Sequence, residues 1–380
     1  MTTGAASRLL RLDVRDFRNL AHVELAPARE GVVLVGENGQ GKTNLLEAIH
    51  YLQLLRSSRG ARDQDLVRFG AEAFHLGATL ETDGRHEIGV GFERATRRKR
   101  ARLDGVVPER LSDALGALPS VMFSPDDVEL IAGSPNLRRR YLDVMLALTN
   151  RAYLVALQHY RAALLRRNAA LRIAARVGPS AGREATLNVA VWEEPLARHG
   201  AVLWLERRAW VASMQDRLET ICTAIGESGA VRARYASTLA TSGDPADALS
   251  RALEDKRGAD LRRGMTHAGP HRDDLVITLD GRELRVFGSA GQQRTAAIAL
   301  RMLEAATITE RTGRAPLLLL DDPFAELDVR RTKRILEWLE REGRGQTILA
   351  VPRASEIPRE LTSLDRLCVT SGAVTRFSAA

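Results

Sequence analysis

The chain has 380 residues, of which 44% are hydrophobic and 4% aromatic, and 56 Lys and Arg against 48 Asp and Glu leave a formal charge of +8. That length suits about two to three domains with a real core, and the cationic excess favours polyanionic partners such as nucleic acid or an acidic membrane surface. The only two cysteines, Cys222 and Cys368, form no C-x-x-C pair, which argues against a disulfide framework or a zinc site and for a reducing compartment.

Met1 to Leu10 lacks the apolar core and cleavage pattern of a signal peptide. The apolar run Leu317 to Leu320 is far short of the roughly 20 residues that cross a bilayer. The expectation is a cytoplasmic protein with no membrane partner.

Leu9 to Leu25 reads as a strand pair turning at Phe17-Arg18-Asn19, and Val32 to Val35 as a short buried strand. After a glycine loop, a helix starts near Lys42 and carries Leu45, Leu46, Ile49, Leu52 and Leu55 on one face. Phe74 to Val107 alternates apolar and polar residues around an Asp83-Gly84 hairpin turn, the pattern of an antiparallel sheet. Arg138 to Arg176 and Leu187 to Ile225 are helix-forming, with Leu142, Met145, Leu148, Leu154, Leu157, Leu164, Leu165 and Leu171 at helical spacing. Gly178-Pro179-Ser180-Ala181-Gly182 interrupts them, so two long helices folded back as a hairpin are expected, an inserted all-helical arm.

Ser237 to Pro245 is looser, and regular structure resumes with a strand at Leu275 to Leu279. A helix capped by Ser289 then runs to about Thr309, followed by the Leu317 strand, a helix over Arg330 to Glu340 and a strand at Thr347 to Val351. The expected division is an N-terminal lobe over 1–125, the arm over about 126–260 and a C-terminal lobe over 261–380.

Gly36-Glu37-Asn38-Gly39-Gln40-Gly41-Lys42-Thr43 fits the phosphate-binding loop G-x-x-x-x-G-K-[ST]. Glycines let backbone N–H groups turn inward around phosphate oxygens at a helix N-terminus. In that pattern Lys42 neutralises the β- and γ-phosphates of ATP and Thr43 offers a hydroxyl to Mg2+. Asp321 ends an apolar strand, from which a carboxylate can reach the same Mg2+, and Asp322 stands where it can orient the attacking water. Ser289-Ala290-Gly291-Gln292-Gln293, taken alone, is a capped helix start. It lies about 32 residues before Asp321, where ABC-type ATPases carry a serine–glycine signature that docks on the nucleotide of a second subunit. Glu326-Leu327-Asp328 resembles the D-loop of the same interface.

Gly36 to Glu47, Phe123 to Asp127, Arg138 to Asp143, Gly269 to Asp274, Gly291 to Arg294 and Leu318 to Asp328 together resemble the RecF family of bacterial recombination-mediator ATPases, related to SMC proteins. The resemblance spreads over nearly the whole chain. It implies an α/β fold, an ABC-type ATPase head with a mixed sheet and an antiparallel β lobe. It also implies an ATP-driven homodimer in which Gly36–Thr43 of one subunit and Ser289, Gly291 and Gln292 of the other enclose each nucleotide. DNA at gaps and junctions, with RecO and RecR as partners in loading RecA, follows from the same resemblance.

Two departures from the broader ABC pattern stand out. Asp322 replaces the usual glutamate, which fits slow hydrolysis and a switch more than a motor. Pro352-Arg353 follows the Thr347 strand where a switch histidine is usual. Candidate DNA contacts are Arg94 to Arg102 and the arm's Arg161, Arg166, Arg167 and Arg172, although charge runs are more often solvated faces. Arg272 reads equally well as part of a structural turn. A transporter nucleotide-binding subunit and an SMC-like nuclease head share the head chemistry. The long insertion between Lys42 and Asp321 disfavours the first, and the lack of a second carboxylate or histidine cluster in the sequence disfavours the other.

Overall fold

The computed structural model describes residues 5–177, 182–239, 243–324, 327–342 and 345–377. They form two compact units. The first comprises residues 1–128, 220–228 and 290–380, and the second 129–219 and 229–289.

In the first unit, β1 (Arg8–Phe17) and β2 (Leu20–Leu25) form the expected hairpin, followed by β3 (Gly31–Val35) and α1 (Lys42–Leu54). Strands β4 (Ala73–Glu81), β5 (Arg85–Glu93) and β6 (Arg98–Leu103) complete an antiparallel sheet in the order β2-β1-β4-β5-β6. Alternation decides its faces: Phe74, Leu76, Ala78 and Leu80 of β4 point inward with Ile88, Val90 and Phe92 of β5. β7 (Ser120–Phe123) then enters a second sheet.

The chain now builds the second unit. Helices α2 (Pro135–Thr149), α3 (Arg151–Val177), α4 (Gly182–Ala190), α5 (Glu193–Ser213) and α6 (Gln215–Ala224) follow, residues 220–224 of the last being counted with the first unit. β8 (Val231–Ala236), α7 (Pro245–Arg263) and β9 (Asp274–Leu279) complete it, and β9 pairs antiparallel with both β8 and the short strand Arg282–Glu283. The unit is helical in its greater part with this three-stranded sheet added.

Its course corrects the two-helix expectation. Arg138 to Arg176 is divided at Asn150, whose backbone is extended and whose Oδ1 accepts from the Tyr153 N–H at 3.1 Å, so Asn150 caps the next helix. Leu187 to Ile225 holds three helices, not one. Gly178 to Ala181 lie outside the described residues. Of the periodic leucines, Leu142, Leu154, Leu157 and Leu171 are buried, whereas Leu165 is exposed. The unit runs to Ser289, so it includes the Leu275 strand that the sequence reading assigned to the C-terminal lobe.

The return to the first unit supplies α8 (Ala290–Thr312), β10 (Leu317–Asp321), α9 (Val329–Arg341), β11 (Thr347–Val351), β12 (Asp365–Thr370) and β13 (Ala373–Arg376). The second sheet runs β13-β12-β3-β11-β10-β7, parallel throughout except for β13. β3, β10 and β11 are nearly continuous apolar runs, as strands buried on both faces must be. α1 is buried along most of its length; Leu45, Leu46, Ile49 and Leu52 join the core formed by both sheets. Edge-on contacts among Phe17, Tyr51 and Phe74, with centroids 5.3 to 6.0 Å apart, tie α1 to β1 and β4.

Among the described residues, no helix is long and apolar enough to cross a membrane, and both cysteines are free.

Candidate nucleotide site

Three adjacent parallel strands end together. Val35 of β3 pairs with Val351 of β11, and Ala350 of β11 with Asp321 of β10, so Gly36 and Asp322 sit just past the carboxyl ends of neighbouring strands. The carboxyl edge of an open α/β sheet is where ligands bind in such folds.

Close packing dictates the glycines here. A Cβ on Gly36 would lie 2.3 Å from the carbonyl oxygen of Val369 on β12. Gly41 takes φ +116° and stands at the N-cap of α1, so the loop enters the helix through a conformation that side-chain-bearing residues avoid. The loop is braced from two sides. Asn19, in the β1–β2 turn, donates to the carbonyl of Gln40 at 3.3 Å and accepts from Asn44 at 2.9 Å. Ser371 and Gly372, in the β12–β13 turn, donate their N–H groups to the side chain and the carbonyl of Gln40, at 2.6 and 2.8 Å. Gln40 is thus a strut by its side chain, while Glu37, Asn38 and Gly39 are exposed.

Lys42 is buried, and its Nζ donates to the carbonyls of Gly36 and, at 2.8 Å, of Glu37. Burial lowers its pKa, opposed by the charges of Asp321, Asp322 and Glu356. The Thr43 hydroxyl donates to Asp321 Oδ1 at 3.0 Å, joining residues 278 positions apart. Burial raises the Asp321 pKa, with Thr43 and Lys42 opposing and Asp322 adding to the rise. Asp322 adopts a left-handed backbone, φ +47°, while its N–H donates to Ala350 at 3.0 Å. Burial raises its pKa too, and Glu356 adds to that.

An acid whose pKa rises on folding opposes the folded state once ionised, and that opposition fades as pH falls through the folded pKa and is gone below the unfolded one. Asp321→Asn is therefore expected to melt at or above the wild type at pH 7, with the advantage shrinking toward acid pH. A lower midpoint at pH 7 in a thermal scan would contradict this reading.

Ser289 and Gly291 are exposed where α8 begins, and Gln292 is half-buried. Arg331 of α9 fixes the first turn of α8, donating to Thr295 Oγ1 at 2.6 Å and to the Gly291 carbonyl at 3.4 Å. Asp328 caps α9 by accepting from the Arg331 N–H at 2.9 Å, whereas Glu326 lies outside the described residues. The Phe123–Asp127 motif anchors α8 further along: Arg301 donates two hydrogen bonds to Asp127 Oδ1, at 3.0 and 2.7 Å.

Sequence reasoning missed Arg331, Arg301 and the Ser371–Gly372 turn, and it also missed Glu356, which lies just beyond Pro352-Arg353 and pairs with Arg353 at 2.6 Å. Only Glu356 had a local signal, as a carboxylate shortly after the strand in the position where a histidine was sought.

The proposed DNA-contact cations separate. Arg167 is fully buried and held by Asp260 and Glu193, at 2.7 and 2.8 Å, so it cannot meet DNA. Lys99 is drawn inward by Asp63 at 2.7 Å, and Arg166 stacks over the Trp192 ring. Arg161 pairs with Asp143 at 2.9 Å. Arg98, Arg100 and Arg102 remain exposed on the outward face of β6, an edge strand, where charge also discourages strand pairing with other chains. Arg172 and Arg272 are exposed as well.

Comparison with known proteins gives a consistent result. Residues 8–362 match the family model described as RecF/RecN/SMC N terminal domain. The DNA replication and repair protein RecF of Anaeromyxobacter dehalogenans (strain 2CP-C) is 43% identical over 344 residues, covering 87% of this chain and 89% of the relative. A solved structure described as the recombination mediator protein RecF-ATP in the RecFOR pathway superposes with a TM-score of 0.88 at 29% identity, covering 99% of both chains. A Smc head domain derived from Pyrococcus furiosus, covered over 96% of its length and covering 98% of this chain, shares the fold at a TM-score of 0.56 and 16% identity. The mixed sheet, antiparallel sheet and helices are those of an ABC-type ATPase head, as expected from the sequence.

Proposed function

The chain belongs to the RecF family of DNA replication and repair proteins, and from that membership we propose that it is an ATP-dependent DNA-binding switch of the cytoplasm. The observation that carries this reading is the 3.0 Å hydrogen bond between Thr43 and Asp321 beside the buried Lys42.

A hydroxyl and a carboxylate are hard oxygen donors that suit Mg2+. With the ion bound, Thr43 and Asp321 would hold it, and it would neutralise charge on the β- and γ-phosphates of ATP. Backbone N–H groups of Gly36, Glu37, Asn38, Gly39, Gln40 and Gly41 cradle the phosphates. Lys42 exchanges the carbonyls of Gly36 and Glu37 for phosphate oxygens. Asp322 orients the attacking water, and its side chain, one methylene shorter than the usual glutamate, fits slow hydrolysis.

Ser289, Gly291 and Gln292 serve the nucleotide of a second copy, so ATP closes a homodimer that opens on hydrolysis. Arg331 supports that surface by tying the start of α8 to the helix after the D-loop. The family's DNA chemistry and the +8 charge support DNA at gaps and junctions as the partner. RecO and RecR are the proposed protein partners, with RecA loading as the outcome.

Ser289→Arg tests the shared site, because it adds bulk and charge to an exposed position without touching the phosphate loop's own residues. The variant is expected to bind ATP as a monomer within about twofold of the wild type, since none of its charged phosphate contacts is lost. Light scattering with ATP is expected to find no dimer, and a wild-type dimer fraction would refute the shared site.

A further inference from the structure

The segment Gly269-Pro270-His271-Arg272-Asp273-Asp274 has no role in the nucleotide site. It forms the turn before β9 in the second unit, and buried groups hold almost every polar part of it. Arg207, itself fixed by Asp143 at 2.7 Å, donates to the Pro270 carbonyl at 2.8 Å. His271 Nδ1 lies 2.6 Å from the Tyr160 hydroxyl, and its Nε2 lies 3.1 Å from the Thr266 carbonyl. The Tyr235 hydroxyl donates to Asp273 at 2.6 Å, and Arg139 donates to the Asp273 carbonyl at 2.5 Å. Arg138 forks onto Asp274 with two bonds of 2.8 Å.

Arg272 is the exception. Its N–H closes the turn on the Gly269 carbonyl at 2.9 Å, but its side chain is exposed and makes no hydrogen bond or ion pair with any described residue. Its charge is nevertheless close enough to Arg139 to lower that residue's pKa, after the larger effects of burial and Arg207. His271 is pushed down to about 4, chiefly by burial, so at neutral pH it adds no charge. Among the described residues, Asp274 accepts from Arg138, Asp143 accepts from Arg161 and Arg207, and Asp273 accepts from Tyr235, while Arg139 bonds only the backbone carbonyl of Asp273 and the side chain of Asn136. Exposed Arg272 and half-buried Arg139 are the two guanidinium groups of this cluster that hydrogen-bond no carboxylate among the described residues.

An ordinary surface arginine is mobile and solvated. This one stands on a backbone that the folded unit has already immobilised, so less ordering entropy opposes its capture of an anion. A guanidinium fork also matches two oxygens of a phosphate. We propose that the Gly269–Arg272 turn docks the DNA phosphate backbone, with Arg272 as the contacting cation and Arg139 beside it. This deepens the DNA-binding reading above and rests on it.

The test is fluorescence anisotropy of a labelled gapped duplex with ATP and Mg2+ across a salt series, using the wild type, Arg272→Ala and Arg272→Lys. Arg272→Ala is expected to weaken binding about fivefold to tenfold, equally for unrelated sequences, and to reduce the slope of log affinity against log salt by about one. Arg272→Lys is expected to recover most of the loss, while ATP affinity and ATP-dependent dimerisation stay at wild-type levels in both variants. Wild-type affinity and slope in Arg272→Ala would overturn the docking site. A wild type that binds no DNA with ATP would instead overturn the functional reading beneath it.

Discussion

Lys42→Ala is expected to weaken ATP binding by about a hundredfold or more and to abolish ATP-dependent dimerisation and DNA binding. A hydrogen bond from a charged donor contributes about 1.5–3 kcal/mol, and Lys42 would make such bonds to two phosphates in a site screened from water. Two such contacts correspond to at least about 3 kcal/mol, or roughly a hundredfold in affinity.

The folded state tells a different story. Burial lowers the Lys42 pKa, so its ammonium opposes folding at every pH below the folded value, and alanine removes that opposition. The variant also loses the hydrogen bonds to Gly36 and Glu37, so its melting midpoint without nucleotide is expected to stay close to that of the wild type. Calorimetric titration with ATP and Mg2+ separates the two effects. Near-wild-type ATP affinity in Lys42→Ala would remove the lysine from the site.

Arg167→Ala is expected to be the most damaging single change in the second unit. The Arg167 side chain is fully buried, donating to Asp260 at 2.7 Å, Thr266 at 2.8 Å and Glu193 at 2.8 Å. His267 and Arg257 bind the far sides of the same carboxylates. Removing Arg167 leaves Asp260 and Glu193 short of positive charge inside the unit, at a cost of about 3–5 kcal/mol. For a unit of this size that corresponds to a drop on the order of 10 °C in its transition. Arg257→Ala, at the more exposed edge, is expected to cost about 1 kcal/mol. Urea unfolding followed by circular dichroism measures both. An Arg167→Ala variant that unfolds with the wild type but binds DNA more weakly would restore Arg167 as a DNA contact.

Arg167 also shows where the sequence stops being informative. It sits with Arg161, Arg166 and Arg172 at helical spacing, and nothing local distinguishes it from an exposed cation. Its burial depends on Glu193 and Asp260, far along the chain. The phosphate loop was legible because its chemistry is local, with an apolar strand, glycines at fixed offsets and a helix beginning at Lys42. The Leu317 strand and its carboxylates were legible for the same reason.

Helix boundaries in the arm were less so. Asn150 ends α2 and caps α3 while leucine spacing continues through it. The helix Pro245–Arg263 was missed although Asp244 accepts from Ala246 N–H at 2.6 Å and Pro245 starts the first turn, a recognisable cap signal. Its buried apolar stripe is only Ala248, Leu249 and Leu253, too sparse to announce a helix. The struts of the nucleotide site, Ser371–Gly372 on Gln40 and Arg331 on Gly291, are contacts between distant segments that no spacing rule reaches.

In the proposed dimer, each nucleotide is enclosed by Lys42 of one copy and Ser289 of the other. This sharing is tested most directly by mixing two variants, Lys42→Ala and Ser289→Arg, each labelled with one dye of an energy-transfer pair. Neither variant alone is expected to associate with ATP, because every site in either homodimer lacks one half. In the mixed dimer, one site combines the intact Lys42 of the Ser289→Arg copy with the intact Ser289 of the Lys42→Ala copy. ATP-dependent energy transfer is expected in the mixture alone. Absence of transfer in the mixture, or association of either variant by itself to the wild-type extent, would contradict the shared site.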